Sequence, residues 1–335
     1  MNYGIVNFFH PNHADSAMQK TCMRKKIHII TPIRPGGPQM WGRLLAKELN
    51  IRDEWSATHT RTLPRMIMTP FYEPADVVHT SVPITYRLWK KPLILTLRGN
   101  FMIEYYYWAR MYPRSIRMAD IVTVSSHFLK ETLRLPNALV IPPSADLPQM
   151  PVRQRTDEHT IRILIVTKFC FPQKSRGVLT LLDALSKTKI KKHPISIAIL
   201  GGGVYLNEIK RESRRCGLPV TFYGFTDPKP FFEQSDIFLY WSKHDNTPIA
   251  VLEAMSYGLP VVANNVGAMT ELVTHKETGL IANTPDEFTA YVNELFDHPE
   301  LQRTLGEGAR HAILTTFSHA RVVPQYESLY RGVIS

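Results

Sequence analysis

Cysteine is scarce in this chain of 335 residues, with only Cys22, Cys170 and Cys216. The number is odd, the spacing is wide and no Cys-x-x-Cys pair occurs. This argues against a disulfide framework or a structural zinc site, and the expected compartment is the reducing cytoplasm. Long apolar runs are missing too: none approaches the roughly 20 residues of a membrane-spanning helix. The opening "MNYGIVNFFHPNHAD" lacks the basic start and uninterrupted apolar stretch of a secretory signal, so no leader is expected. No short-period repeat or low-complexity tract appears. Acids are in short supply in one half only. Residues 1–150 hold 19 Lys and Arg against 10 Asp and Glu, whereas 151–335 hold 21 against 19, within an overall charge of +11. The basic half suits an anionic partner (nucleic acid, an anionic membrane face or a phosphorylated substrate) as well as it suits a plain solvated surface.

What is present is enough apolar material for real cores, 44% of the chain, at a length that suggests two domains. In the second half, "ILIVT" (163–167), "ISIAIL" (195–200), "VTFYGF" (220–225), "DIFLYWS" (236–242), "PVVAN" (260–264) and "GLIAN" (279–283) read as strands. Helical patterns lie between them. Continuous apolar strands separated by helices mean βαβ units and a parallel sheet buried on both faces. Thr284, Pro285 and Glu287 predict the start of one further helix through a capping box. The first half repeats the pattern with strands at 27–31, 76–80, 93–99, 120–125 and 139–143, while 51–75 resists assignment. Between the halves, "PPSADLPQMPVRQRTDEHT" is a linker by composition. Residues 1–24 read as an extension. The expected division is a first domain over 1–150, a second over 151–316 and a terminal helix over 317–335. Ligands of such sheets bind beyond the carboxyl ends of the strands, so two facing domains imply a cleft.

The most informative stretch is "HDNTPIAVLEAMSYGLPVVANNVGAMTELV", with Asp245 and Glu253 eight positions apart. Thr247 is placed to cap a helix with Pro248 in its first turn, and Gly258 to end it in the left-handed conformation. Glu253 lies inside that helix among apolar residues, where a carboxylate must face a polar ligand or a solvent-filled cleft. Asp245 precedes the helix, whose free amides favour anions such as phosphate. Both acids also fit a bland reading, a helix-start acid and a solvated face. Gly36 and Gly37 follow a strand and open a helix, which brings backbone amides within reach of a phosphate or simply makes a tight turn. "LGGG" (200–203) does not complete a Gly-x-Gly-x-x-Gly fingerprint, since 201–206 reads "GGGVYL".

The acid, seven residues, a glutamate, "EAM" and "GLPVV" together resemble retaining GT-B glycosyltransferases of family four, the group 1 glycosyl transferases. The resemblance runs from about residue 27 to the C-terminus through "PGGPQMWGRLLAKEL", "ADVVHTS", "PLILTLRGN", "ADIVTVSSHFLKETL", "ALVIPPSADL", "ILIVTKFCFPQKSRGVLTLLDAL" and "FSHARVVPQYESLYRGV". It implies an α/β GT-B fold of two Rossmann-like domains, the last helix crossing back to the first. It implies a UDP- or GDP-sugar donor held mainly by the second domain, with no metal and no cofactor, and a glycan or lipid-linked acceptor on the first. Glu253 matches the acid that accepts hydrogen bonds from the donor ribose, and Asp245 the acid near the sugar. Thr247 and Ile249, at the helix start, fall in the same donor segment. Lys168 stands where the family has arginine, and Lys174 and Arg176 compete for its lysine. Cations there stabilise the leaving diphosphate. Phe225 matches a loop near the base, though an aromatic at a strand end is more often core.

The resemblance has two departures. Asp245 replaces the usual glutamate, and Arg98 in "LRGN" replaces a histidine over the donor sugar. A permanent cation cannot accept a hydrogen bond, but it suits a phosphate or another acidic group. His127 and His244 flank motifs and read as structural. The basic and aromatic stretches "YRLWKKP" (86–92) and "FMIEYYYWARMYPRSIRM" (101–118) fit a peripheral contact with an anionic membrane, nucleic acid or an ordinary amphipathic helix. No nucleic-acid recognition motif accompanies them. The function expected is retaining sugar transfer in glycan, polysaccharide or glycolipid synthesis. The rivals are an inactive GT-B-like binder of a nucleotide or anionic polymer, and another GT-B enzyme such as a nucleotide-sugar epimerase.

Overall fold

The computed structural model describes residues 24–33, 36–62, 75–84, 90–104, 108–148, 160–189 and 194–334. All but the last residue of the expected extension lies outside them. So do most of "YRLWKKP", the tyrosines at 105–107 and residues 149–159 of the linker. The first half runs β1 (Lys25–Pro32), α1 (Gly37–Asn50), β2 (Trp55–Thr62), β3 (Val77–Thr80), β4 (Leu93–Leu97), α2 (Phe101–Glu104), α3 (Tyr112–Met118), β5 (Ile121–Val124), α4 (His127–Thr132) and β6 (Leu139–Val140). Its six strands pair in parallel in the order β2-β1-β3-β4-β5-β6.

The second half runs β7 (Ile161–Val166), α5 (Pro172–Ser186), β8 (Ile195–Leu200), α6 (Leu206–Ser213), β9 (Val220–Gly224), α7 (Lys229–Gln234), β10 (Ile237–Tyr240), α8 (Ile249–Ser256), β11 (Val261–Asn264), α9 (Met269–Leu272), β12 (Leu280–Ala282), α10 (Pro285–Asp297), α11 (Pro299–Ala312) and α12 (His319–Ile334). Its order is β12-β11-β10-β7-β8-β9, again all parallel. These are two Rossmann-like doubly wound α/β domains. Their strands read as unbroken apolar runs because both faces are covered: every residue of β3, β4, β10 and β11 is buried. One face of the second sheet packs Leu181, Leu182 and Leu185 of α5 with Phe288 and Val292 of α10. The other takes Val251, Leu252 and Met255 of α8 with Phe317. Each such fully buried side chain contributes roughly 1.5–3 kcal/mol, so the sheets are the fixed bodies from which the loops hang.

The terminal helix α12 does not pack on the sheet that precedes it in sequence. Val322, Val323, Tyr326 and Tyr330 join Trp41, Leu45 and Leu49 of α1 in the core of the first domain. Polar side chains fix the register of that return. Trp55 Nε1 donates to Glu327 Oε1 at 2.8 Å, and Arg52 Nε lies 3.3 Å from the same oxygen. His79 sits between the Tyr330 hydroxyl at 2.7 Å and Thr96 Oγ1 at 2.6 Å. Burial lowers the His79 pKa to about 3, so the ring is neutral.

The element missing from the sequence reading is β2. "WSATHTRT" carries polar residues at most positions and occupies a sheet edge, where only one neighbouring strand and part of a core demand apolar side chains. The capping box at α10 forms in shifted fashion: Thr284 Oγ1 accepts from Glu287 N at 3.1 Å, and Glu287 Oε2 accepts from Asn283 N at 2.7 Å. Gly258 has φ 66°, the left-handed stop expected after α8. Among the described residues no helix is long and apolar enough to cross a membrane.

The strand order fixes where a ligand can sit. In the second sheet the order reverses between β7 and β10, and in the first between β1 and β3. The crevice of a doubly wound sheet opens at the carboxyl ends of those pairs. The loops there are 167–171 after β7 and 241–248 after β10, and Gly36 stands at the entry to α1 beyond β1.

Candidate active site

Asp245 hangs from the carboxyl end of β10 and is buried. Lys174 Nζ lies 2.9 Å from its Oδ2, the Tyr240 hydroxyl donates to the same oxygen, and Asn246 N donates to Oδ1 at 2.8 Å. The lysine reaches it because α5 lies unusually close to the β10 loop. A Cβ on Gly177 would stand 2.4 Å from Trp241 O and 2.8 Å from Ser242 Cα, so only glycine permits this approach. The loop is braced from β11, where the Asn264 amide accepts from Ser242 N at 2.9 Å and donates to Ser242 O at 2.8 Å.

Helical phase separates the two cations that compete in the sequence. Arg176 is two residues beyond Lys174, so it projects from another face of α5. It pairs with Glu208 of α6 at 3.6 Å and is largely exposed. Arg176 therefore does not join the Asp245 cluster.

Lys168 leaves the carboxyl end of β7 on the other side of the switch point. Its ammonium lies 2.9 Å from where a Cβ on Gly36 would be, so the loop entering α1 in the first domain touches the loop leaving β7 in the second. Gly36 is the N-cap of α1, Gly37 its first residue, and the first turn carries neither a side-chain cap nor an acid. Cation and unshielded helix amides together make this junction electropositive. The turn 201–203 packs against the backbone of Thr167 and Phe169, behind the Lys168 loop. Phe225 stands against Gly202 at the rim and is 85% exposed, so it is not a core aromatic.

Glu253 projects from α8 and is half-buried. Burial raises its carboxyl pKa to about 7, with Asp146 and Asp227 adding to the rise and Lys229 opposing it. Thr247 does not cap α8, contrary to expectation. The helix begins at Ile249 with Pro248 as N-cap, and no side chain caps it. A residue before proline is held extended, and the Thr247 hydroxyl instead meets Ser125 Oγ of the first domain at 3.3 Å. Asn246 Nδ2 donates to the same Ser125 Oγ at 2.9 Å. Ile249, half-buried, opens the helix beside them.

Arg98 occupies its own nest at the carboxyl end of β4. Its guanidinium lies 5.6 Å over the ring of Trp41, whose indole N–H donates to the Tyr326 hydroxyl at 3.2 Å. The half-buried Arg98 thus lies against α1 rather than loose on the surface. His127 takes part through its backbone: the Glu271 carboxylate accepts from His127 N at 2.8 Å and Phe128 N at 2.7 Å, across the domain boundary. Tyr240, Asn246, Ser125 and Glu271 are the residues that sequence reasoning missed. Asn246 and Glu271 lie in the stretch that carries the two acids and Ser125 lies in another motif, but nothing in their spacing signals a contact between them.

Comparison with known proteins points one way. Residues 156–312 match the family described as glycosyl transferases group 1. A Bacillus subtilis protein provisionally named glycosyltransferase YtcC is 23% identical over 301 residues, covering 78% of this chain and 73% of its own length. A GDP-mannose-dependent alpha-(1-6)-phosphatidylinositol monomannoside mannosyltransferase of Mycobacterium tuberculosis is 27% identical over 171 residues, 47% of this chain and 44% of its own. Several other curated relatives are matched over 27% to 55% of their length. Among solved structures, Anabaena Alr3699/HepE in complex with UDP-glucose superposes with a TM-score of 0.73 at 16% identity, covering 92% of this chain and 99% of that one. At that identity the likeness speaks for the fold alone.

Proposed function

Because residues 156–312 match the group 1 glycosyl transferases and the chain has the GT-B fold, we propose that it moves a sugar from a nucleoside diphosphate sugar to an acceptor hydroxyl with retention at the anomeric carbon. The observation that carries this reading is the buried Asp245 held by Lys174 at the switch point of the second sheet. A carboxylate and an ammonium fixed together at the mouth of a crevice suit a ligand that is a polyol at one end and an anion at the other.

In this reading Asp245 orients the sugar. The Oδ1 lone pair that Lys174, Tyr240 and Asn246 leave unused accepts from a sugar hydroxyl. Lys168 and the amide end of α1 at Gly36 and Gly37 take the diphosphate, with Lys174 adjoining. Glu253 accepts from the ribose hydroxyls. That role suits a desolvated carboxyl, because two hydroxyl donors restore what burial removed. Ile249 and Thr247 border the same channel, Phe225 flanks the base, and Arg98 faces an acidic group on donor or acceptor. The acceptor, a glycan or lipid-linked hydroxyl, lies on the first domain. The division into a 1–150 acceptor domain, a 151–316 donor domain and a 317–335 returning helix belongs to this reading.

The bond from the anomeric carbon to the β-phosphate oxygen breaks, and the acceptor oxygen bonds to the same face. Its proton passes to the departing phosphate oxygen. The β-phosphate gains a second negative charge as the bond breaks, and fixed cations such as Lys168 and Lys174 stabilise it more in the transition state than in the ground state. UDP and GDP are the nucleotides to try first, since relatives of this chain are named for GDP-mannose or solved with UDP-glucose.

The test is a thermal-shift screen of the purified chain against UDP, GDP, ADP and their sugar conjugates, beside Glu253→Ala. Binding to the native state raises the melting temperature with occupancy. A shift with one base that the variant loses supports the donor assignment. No shift with any nucleotide overturns it.

A further inference from the structure

At the corner between β5 and α4, two sets of hydrogen bonds cross from the first domain to the second. Ser125, at the end of β5, is buried and its Oγ meets Asn246 Nδ2 at 2.9 Å and Thr247 Oγ1 at 3.3 Å. Next in the chain, Ser126 caps α4 from within, its Oγ accepting from Leu129 N at 3.1 Å. The two remaining first-turn amides, of His127 and Phe128, are taken by the carboxylate of Glu271 in α9 of the other domain. A short helix has thus left half of its N-terminal cap to be supplied across the domain boundary.

The contact does not stop at the boundary. Asn246 follows Asp245, and its backbone N–H holds Asp245 Oδ1. Its side chain is held by Ser125 while its main chain orients the acid. Asn246 O in turn accepts from Ala268 N at 2.8 Å, at the turn that leads into the helix carrying Glu271. The Asp245 loop and Glu271 therefore grip the corner of the first domain as one piece. The grip is also imperfect: Asn246 Oδ1, buried, has no hydrogen-bond partner among the described residues. An unmet acceptor weakens the joined state relative to the parted one, as a contact that must release and re-form requires.

We propose that the corner Ser125–Phe128 is a latch that completes the Asp245 loop only when the two domains are together, with Ser125 and Glu271 as its positioning residues. The proposal rests on the reading of Asp245 as a donor-site residue. Neither residue touches the sugar. Each acts through the loop that does, so that a donor is oriented for transfer only in the closed cleft, with the acceptor domain in place. A donor bound to an open cleft is then held but not turned over, which limits its loss to water.

The test uses the full chain with Ser125→Ala, Asn246→Ala, Glu271→Gln and the pair Ser125→Ala/Glu271→Gln. Small-angle X-ray scattering of the nucleotide-free protein reads the latch itself. The paired variant is expected to have a larger radius of gyration than the parent while keeping a cooperative melt. Turnover is read as hydrolysis of UDP-glucose or GDP-mannose, and affinity with UDP or GDP. Loss of positioning is expected to lower kcat by about tenfold or more while the nucleotide Kd stays within about threefold. Ser125→Ala and Asn246→Ala together are expected to cost no more than either alone. A merely structural contact lowers the melting temperature and leaves kcat and scattering unchanged, and that result overturns the proposal. If the pair does not fold, the single variants decide by the same kcat-against-Kd split. If neither UDP nor GDP binds the parent, the donor reading fails, and the scattering still shows whether the latch exists.

Discussion

Lys174 Nζ lies 2.9 Å from Asp245 Oδ2, and both side chains are largely shielded from water. Removing one member of such a pair strands the other. Lys174→Met is therefore expected to cost roughly 2–4 kcal/mol of stability, at the lower end because Tyr240 and Asn246 still donate to the carboxylate. Turnover should fall by about a hundredfold as the proposed electrostatic contact to the leaving group is lost. Arg176→Ala breaks only an exposed pair with Glu208, for which less than about 1 kcal/mol is expected, with kcat close to the parent. Urea denaturation and donor hydrolysis on the two variants check this, and equal effects would argue against the different placements of the two cations.

Glu253 gives a prediction whose sign depends on pH. Its folded pKa is raised from the ordinary 4.5 to about 7, chiefly by burial. The stability associated with the neutral acid is fully present below about pH 4.5 and is lost as pH rises through about 7. Glu253→Gln, which cannot ionise, should melt higher than the parent at pH 8, by roughly 2 kcal/mol after discounting for its partial exposure, and about equally at pH 4.5. Nucleotide affinity should move the other way, since an amide is a poorer acceptor for two hydroxyls. In the parent, UDP or GDP should bind more tightly as pH rises from 5.5 to 8, because binding favours the ionised carboxylate. Melting curves across that range test both halves.

The anchor of α12 responds to acid with the opposite sign. His79 stays neutral in the folded chain down to about pH 3, whereas in the unfolded chain it takes a proton near 6.5. Stability linked to His79 is present above about 6.5 and is lost as pH falls toward 3. Tyr330→Phe leaves His79 Nδ1 without its partner and should cost about 1–3 kcal/mol. Chemical denaturation at pH 7.5 and pH 5 reads the slope and the loss.

Much of the fold was legible because both sheets are covered on both faces, which forces unbroken apolar strands that a sequence displays openly. β8 over Ile195–Leu200 follows directly from "ISIAIL". β2 was not legible, because an edge strand tolerates Thr, His and Arg along most of its length. At the site, the acid spacing and the glycines were legible as chemistry that only certain residue types can do. The choice between Lys174 and Arg176 was not, since it turns on which face of α5 meets β10. Thr247 was misread because its sequence context is that of a cap, while Ser125, over a hundred positions away, takes its hydroxyl. Contacts between domains leave no spacing to read.

Phe225 separates binding from stability most cleanly. It is 85% exposed beside the glycine turn at Gly202, so its removal forfeits little burial. Phe225→Ala is therefore expected to change stability by no more than about 0.5 kcal/mol. An exposed aromatic ring beside the proposed nucleotide channel is suited to stack on a flat base, and such stacking is worth about 1–3 kcal/mol. UDP or GDP should thus bind about tenfold more weakly to Phe225→Ala, while Phe225→Tyr should bind as the parent does. Loss of affinity for ribose 5-phosphate, which has no base, should be absent. Titration calorimetry with the nucleotide and with ribose 5-phosphate distinguishes stacking from a general disturbance of the turn: equal weakening for both ligands would assign the effect to the turn at Gly202 and its neighbour Lys168, not to the ring.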